Sequence, residues 1–515
     1  MNLRSIIVPM LAFLTCVLGE NASARTVQTA TQPNIVLFFI DDMGWKDWSG
    51  GGSDFLETPN VDRIAKEGMN FTQGYVNASN CAPSRCAILS GQYTPRTHFY
   101  NVQSIHRGNP KKDRLSLQDV TDGQVLADDR VCFAEAMKKA GYRTAMYGKW
   151  HVSGFDKQGS GNRGGVSPAM QGFDDVEEHP AAALKKLFTK DREDPKQMFS
   201  YTNRAMKFAE RCVSQDKPFL IYLAHHAVHA VDQSRPATLK TYKAKEPGKF
   251  HKSVSPGYGA MMADLDASIG LMLEKLKALG VDKDTVVIFL SDNGGTPGHA
   301  PQTPLRCWKG SYYEGGIRVP FLVRWPDKIK PSVNHMPVMA IDLYPTMLEL
   351  AGVEDIAAHL DGYEIDGESL VPTLLDKGDL EERALFWHFP AYLDGNPKYT
   401  KTRSYPAYRQ QPVSVIRRGD WKLLMYLEEW SLDGGRESIA TNNALELYNL
   451  RRDVSESKNL ALVETDVRDQ LLNELLAWQQ AIGAPIPREA NVPPKPDDQQ
   501  EEKRSNKRKK RRDRS

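Results

Sequence analysis

Residues 34–42 read Asn-Ile-Val-Leu-Phe-Phe-Ile-Asp-Asp. The run Asn34–Ile40 (NIVLFFI) is apolar throughout rather than alternating, the pattern of a strand buried on both faces. It stops on two successive carboxylates, Asp41 and Asp42. Further along, Arg143–Tyr147, Phe219–Leu223 and Thr285–Leu290 (TVVIFL) have the same character. Amphipathic helical stretches lie between them, among them Asp62–Gly68, Cys132–Ala140 and Tyr258–Leu279, with Gly141 and Gly280 where helix C-caps belong. Strands alternating with helices predict an α/β fold: a large, mostly parallel mixed sheet flanked by helices.

Ligands of open α/β sheets bind beyond the carboxyl ends of the strands, so the residues just past each strand carry the chemistry. Asn34–Ile40 runs into Asp41-Asp42, and Thr285–Leu290 into Ser291-Asp292-Asn293-Gly294-Gly295. Arg143–Tyr147 runs into Gly148-Lys149-Trp150-His151, and Phe219–Leu223 into His225, His226 and His229. Asp41, Asp42, Asp292 and Asn293 are hard oxygen donors, suited to Ca²⁺ or Mg²⁺. An isolated Asp after a strand is usually a turn or cap residue; two in series, with Asp-Asn-Gly-Gly after a second buried strand, argue for a cation that offsets their repulsion. His151 and His229 stand beside other polar groups and read as functional. For His225 and His226 a structural and a functional role stay open.

Around Asp376 the pattern changes. Leu385–His388, Ser414–Arg418, Lys422–Tyr426 and Glu446–Asn449 read as short strands and Asp466–Ile482 as one closing helix. The expected organisation is an α/β domain over residues 25–380 and a smaller C-terminal α+β subdomain over 381–486. A basic tail without structure follows over 487–515. At the other end, Arg4, the apolar run Ile6–Leu18 and Ala22-Ser23-Ala24 read as a secretory signal peptide over residues 1–24. A lipobox at Cys16 fits less well, because of Phe13 and Thr15. Removing the leader leaves 515 − 24 = 491 residues, enough for two domains at ~100–200 residues each. The expected location is secreted or periplasmic, with no membrane span. A net charge of +2 says nothing about partners.

Five cysteines follow the leader: Cys81, Cys86, Cys132, Cys212 and Cys307. An odd number in an exported protein leaves at least one thiol unpaired or modified, and the absence of CxxC argues against zinc. Residues 81–91 read CAPSRCAILSG. Pro83 suits the first turn of a helix, which sets Cys81 at the N-terminus, where free N–H groups favour an anion. Arg85 adds a permanent charge one turn on. From the residues alone Cys81 is a reactive thiol or half of a disulfide, although a bond to Cys86 on the same helix is awkward.

Cys81-Ala-Pro83-Ser84-Arg85-x-x-x-Leu89-Ser90-Gly91 resembles the C-x-P-S-R-x-x-x-L-[TS]-G signature of the type I sulfatases, members of the alkaline phosphatase superfamily. Gly141–Thr144 with Gly148-Lys149-Trp150-His151 resembles the second signature of that family. Leu305–Gly310 with Glu314–Pro320 resembles its active-site lysine segment, and Asp342–Thr346 and Gly419–Leu423 are further similar stretches. The likeness runs from about Pro33 to Leu460. Cys307 departs from it, where relatives often carry Gly, and a serine that some members place near the sulfate has no clear match between Gly164 and Asp175.

The resemblance implies that Cys81 is oxidised to Cα-formylglycine (3-oxoalanine) by a formylglycine-generating or sulfatase-maturing enzyme. It implies one Ca²⁺ per chain on Asp41, Asp42, Asp292 and Asn293, with the modified residue 81 as a further ligand. Arg85, Lys149 and Lys309 would neutralise the sulfuryl group, Asp292 would accept the nucleophile's proton, His229 would be the acid for the leaving group with Lys309 as second choice, and His151 would serve sulfate release. The expected substrate is a sulfated carbohydrate, with His388 and Arg409 as candidates to bind it; the alternative for this segment is aromatic packing at a domain interface.

Three other readings compete. A phosphonate monoester or phosphodiester hydrolase of the same superfamily could use the same groups. A catalytically dead binding protein is opposed by the complete constellation. The KRKKRR run within Lys503–Arg514 would suit nucleic acid, but the leader conflicts with nuclear import, so no nucleic-acid partner is expected. A solvated charge run, or a tether to acidic polysaccharide, remains for the tail. The sequence fixes neither the glycan nor the oligomeric state.

Overall fold

The computed structural model describes residues 32–490, apart from stretches within 103–112, 118–124, 154–165, 179–190, 247–253, 297–301 and 394–408. The leader at 1–24, the basic run Lys503–Arg514 and most of the segment around Arg409 lie outside the described residues.

Asn34–Ile40 forms the central strand. It pairs in parallel with Thr285–Ser291 on one side and Phe219–Ala224 on the other. Arg143–Gly148 and then Asp175–Glu177 continue the parallel run. On the opposite flank Phe321–Arg324 lies antiparallel to Thr285–Ser291, followed by Met69–Phe71 and Ser332–Asn334, which completes eight strands. The sheet is mixed and mostly parallel, as the apolar runs require.

Both faces are covered, and the residues of the central strand divide between them by their period of two. Ile35, Leu37 and Phe39 join a core with residues of the helices Cys81–Ser90, Phe133–Lys139 and Leu343–Leu350. Val36, Phe38 and Ile40 join a second core with Pro59–Lys66, Met198–Ser214 and Pro256–Ala278. All six apolar side chains are fully buried, each contributing roughly 1.5–3 kcal/mol by its removal from water.

The C-terminal part is a four-stranded antiparallel sheet, Ala384–Phe389, Val413–Arg418, Trp421–Tyr426 and Leu445–Asn449, with Thr465–Ile482 packed on it. It is bonded into the larger part rather than appended to it. The Trp387 indole donates to Val76 O at 2.7 Å. Buried Lys422 sits between Glu314 (3.0 Å) and Glu456 (2.9 Å), and the Glu456 carboxylate accepts the Glu314 main-chain N–H. The described residues form one compact unit.

One expectation needs correction. Order extends past Pro487: Arg488–Glu489 pairs antiparallel with Leu115–Ser116, and Ala490 N donates to Arg114 O. This short ladder satisfies backbone groups that a free tail would leave to water. Cysteine parity required at least one unpaired or modified thiol, and all five are free and buried, with no disulfide among the described residues. Cys86, Cys132, Cys212 and Cys307 sit within apolar cores and behave as small hydrophobes.

Candidate active site

The sheet order converts a scattered list of strand ends into one cluster. The two strands that end in carboxylates are adjacent, and those that end in lysine and histidines lie beside them in sequence 285–291, 34–40, 219–224, 143–148. Asp42 turns the chain at once with φ 64°, a left-handed conformation that Asp tolerates. Gly148, at φ 114°, passes so close to the neighbouring strand that a Cβ there would lie 2.0 Å from Ala224 O. Lys149 N then donates to that same oxygen at 2.7 Å. Only glycine permits this approach, and it delivers the Lys149 side chain to Asp41.

Cys81–Ser90 is a helix in which every residue is buried. Cys81 opens it, Pro83 lies in its first turn, and Gly91 ends it with φ 70°. Arg85 points under the site: its Nε and Nη2 donate to Asp292 Oδ2 at 2.9 and 2.7 Å, and its Nη1 to Lys149 O at 2.9 Å. Lys149 Nζ lies 2.7 Å from Asp41 Oδ2. Lys309 Nζ reaches Asp42 and approaches Cys81 Sγ at 4.0 Å. His229 Nε2 is 3.6 Å from Asp42 Oδ2, and its ring is half-exposed at the mouth. Asn293 Nδ2 and Thr296 Oγ1 donate to Asp42 at 2.8 and 2.9 Å.

The electrostatics favour anions at position 81. Burial opposes a thiolate there, but Lys149 and Lys309 outweigh it and hold the Cys81 thiol below its ordinary range. Burial likewise opposes ionised Asp41; Lys149, His229 and Arg85 hold it well below the usual carboxylate range. Asp292 goes the other way, pushed up to about 8 by burial and by the Asp41 charge against the pull of Arg85. Burial, then the Lys149 and Arg85 charges, hold His151 well below the ordinary imidazole range.

The residues fit a hard cation. One ligand atom each from Asp41, Cys81 and Asp292 lies within 4.8 Å of the others, all buried. Asp41 Oδ1 and Asn293 Oδ1 are buried without a hydrogen-bond partner, which a carboxylate and an amide oxygen in a protein interior rarely tolerate. Two crowded carboxylates, an amide oxygen and no soft donor but position 81 match Ca²⁺ or Mg²⁺ chemistry.

The structure brings together Asp41, Asp42, Cys81, Arg85, Lys149, His229, Asp292, Asn293 and Lys309. His151 joins them through its charge coupling to Lys149, Asp41, Arg85 and Lys309. His225 turns into the helical layer and stacks on Phe38. His388 is a correction: it is fully enclosed, with Nδ1 2.6 Å from Ser414 Oγ and Nε2 2.9 Å from Pro485 O. Such a ring ties a strand to the segment after the last helix and has no nitrogen left for a sugar. Arg409 is also engaged within the C-terminal part, stacked 3.5 Å from the centre of the Tyr426 ring, paired with Glu429 and bonded to Asn443 O. Sequence reasoning missed Thr296, which follows Asp-Asn-Gly-Gly closely enough to have been suspected.

Among the described residues no helix is long and apolar enough to cross a membrane. Residues 33–353 match the sulfatase family model, and residues 308–481 match that of the C-terminal part of N-sulphoglucosamine sulphohydrolase. A sulfatase of Formosa agariphila is 32% identical over 544 residues, covering 90% of this chain and 92% of its own. Human N-acetylgalactosamine-6-sulfatase is 32% identical over 388 residues, covering 69% of this chain and 68% of its own. The fold matches the crystal structure of Ps i-CgsB in complex with k-i-k-neocarrahexaose with a TM-score of 0.66 at 23% identity, over 87% of this chain and 92% of that one. With signature, site geometry and relatives in agreement, the chain belongs to the sulfatase family and is a sulfuric ester hydrolase.

Proposed function

We propose that this sulfatase removes sulfate from a carbohydrate after export, using a formylglycine made from Cys81 and one Ca²⁺ held by Asp41, Asp42, Asp292, Asn293 and residue 81. The observation that carries the reading is Cys81 at the first position of a buried helix, with Lys309 4.0 Å from its sulfur and oxygens of Asp41 and Asp292 within 4.8 Å. The signature around residue 81 supports the modification and hence a maturing enzyme as partner. The leader-like segment at 1–24 supports export. The carbohydrate substrate is supported by relatives named as N-acetylgalactosamine-6-sulfatases and by the match to a structure holding neocarrahexaose.

A hydrated formylglycine at position 81 would supply the hydroxyls for attack on sulfur and for release of sulfate, and Ca²⁺ held by Asp41, Asp42, Asp292, Asn293 and residue 81 would supply positive charge to the reaction. The remaining work falls to the side chains. Lys149 and Lys309, with Arg85 behind, neutralise the charge on the sulfuryl group. Asp292, by family resemblance, takes the proton of the attacking hydroxyl. His229, at the mouth, gives a proton to the ester oxygen as its bond to sulfur breaks, so the sugar leaves as a neutral alcohol. His151, kept neutral by burial and the Lys149 charge, is able to accept the last proton as sulfate departs.

The test is a screen of purified, Ca²⁺-loaded enzyme against defined sulfated oligosaccharides, with a phosphonate monoester and a phosphodiester alongside. Free sulfate from a subset of the sugars is expected. Faster turnover of the phosphonate or the diester than of every sulfate would replace this reading with the phosphonate monoester or phosphodiester hydrolase one.

A further inference from the structure

We infer that Lys196 is a positioning residue that sets the leaving-group acid His229 in place. The inference rests on the proposed role of His229 and extends it to a residue outside every motif of the sequence. Lys196 is 2% exposed, although it belongs to a residue type almost never buried without a reason. Its Nζ donates to the main-chain oxygen of His229. The same short segment is fixed from its other side by His229 N, which donates to His226 O at 3.2 Å. The imidazole then has Nδ1 2.8 Å from Ala230 O and Nε2 facing Asp42. Lys196 therefore holds the backbone from which the acid swings.

The local backbone is strained to achieve this. Lys196 and Gln197 both take left-handed conformations, φ 54° and 56°, which are unfavourable for residues with side chains. Such a pair persists only where its surroundings over-determine it, and Asp194 does so. Its two carboxylate oxygens accept Phe199 N at 2.8 Å and Ser200 N at 2.9 Å, and its main-chain oxygen accepts Gln197 N at 3.1 Å. The helix Met198–Ser214 is thereby started in a fixed direction, with Met198 and Tyr201 in the core. A relaxed turn would send the lysine to solvent; the strained one sends it inward, within the electrostatic reach of Asp41, Asp42 and Asp232.

A double-mutant cycle between Lys196→Met and His229→Ala, assayed on a sulfated sugar and on nitrophenyl sulfate, tests this. Melting curves of all variants report folding. Alone, Lys196→Met is expected to lose at least ~10-fold of the ~10²–10⁴-fold that an acid contributes on the sugar, and much less on the nitrophenyl ester. In the His229→Ala background the same change should cost under ~3-fold, because a residue acting through His229 has nothing left to position. Lys196→Gln, which keeps an N–H donor for the carbonyl, should retain more activity than Lys196→Met, and it carries the cycle if Lys196→Met fails to fold. Additive losses, with His229→Ala still distinguishing the two substrates, would overturn this inference and leave the acid intact. Equal losses on both substrates for His229→Ala would remove the acid, and this inference with it.

Discussion

The ammonium of Lys309 straddles the carboxylate of Asp42, 2.6 Å from Oδ1 and 2.8 Å from Oδ2. Burial works against its charge, but Asp42, Cys81 and Asp41 together push its pKa up. A lysine so paired keeps its proton and acts as fixed charge. Lys309→Met is therefore expected to slow a sulfated sugar and nitrophenyl sulfate alike, by ~10²-fold or more, as when an electrostatic donor is lost. A loss confined to the sugar would make Lys309 the acid.

His229→Ala should separate the two substrates. A sugar alkoxide needs a proton as it leaves and a nitrophenolate barely does, so losses of ~10²–10⁴-fold are expected on the sugar and far smaller ones on the aryl ester. His151→Ala should leave release of the alcohol nearly intact and slow release of sulfate. Rapid-quench kinetics would show a burst of alcohol; simultaneous slow release of both products would place His151 in the first step instead.

Removal of metal by EGTA should abolish turnover and lower the melting temperature, with Ca²⁺ restoring both better than Zn²⁺. Asp41→Asn and Asn293→Ala should weaken calcium binding measured calorimetrically. Full activity in a preparation shown to be metal-free would refute the site.

Position 81 should appear as an aldehyde in active enzyme. Mass spectrometry of the tryptic peptide ending at Arg85, with and without a hydrazine, is the measurement. Cys81→Ala should eliminate turnover, and full activity with an unmodified thiol would sink the chemistry.

The cluster that joins the two sheets makes a stability prediction with a definite sign. Burial, outweighing Lys422, raises the Glu456 carboxyl from 4.5 to about 7. Burial is overcome at Glu314 by Lys422, Arg318 and Arg417, which lower it to about 2. A raised carboxyl pKa means that the folded state holds the proton more tightly, so this contribution is full below pH 4.5 and is lost as pH climbs to about 7. Glu314 acts oppositely: its contribution is present above 4.5 and lost as pH falls towards about 2. Glu456→Gln should flatten the decline in melting temperature between pH 4.5 and 7. Lys422→Met should cost ~3–5 kcal/mol at neutral pH by leaving buried carboxylates unpaired. An unchanged pH profile for Glu456→Gln would show that this carboxyl is ionised throughout.

The catalytic layer was legible because period and chemistry coincide there. Asn34–Ile40 could be nothing but a doubly covered strand, and its terminal carboxylates had to emerge at one edge of the sheet. Residues placed by long-range pairing were another matter. His388 looked like a sugar contact in a basic, aromatic neighbourhood; its partners Ser414 and Pro485 are 26 and 97 residues away, and nothing local announces them. Lys196 was invisible for the same reason: its value comes from a strained turn and from His229, 33 residues on.

On the proposed chemistry, the burial of the whole Cys81–Ser90 helix would impose an order of events on the biosynthesis of the protein. A maturing enzyme would have to reach position 81, which in the folded molecule is enclosed near Lys149, Lys309, Asp41 and Asp292. On the proposed chemistry, oxidation of Cys81 therefore belongs to the chain before this helix docks. A molecule that folds first is locked into an inactive thiol form, so specific activity would track the race between folding and maturation as much as the sequence itself.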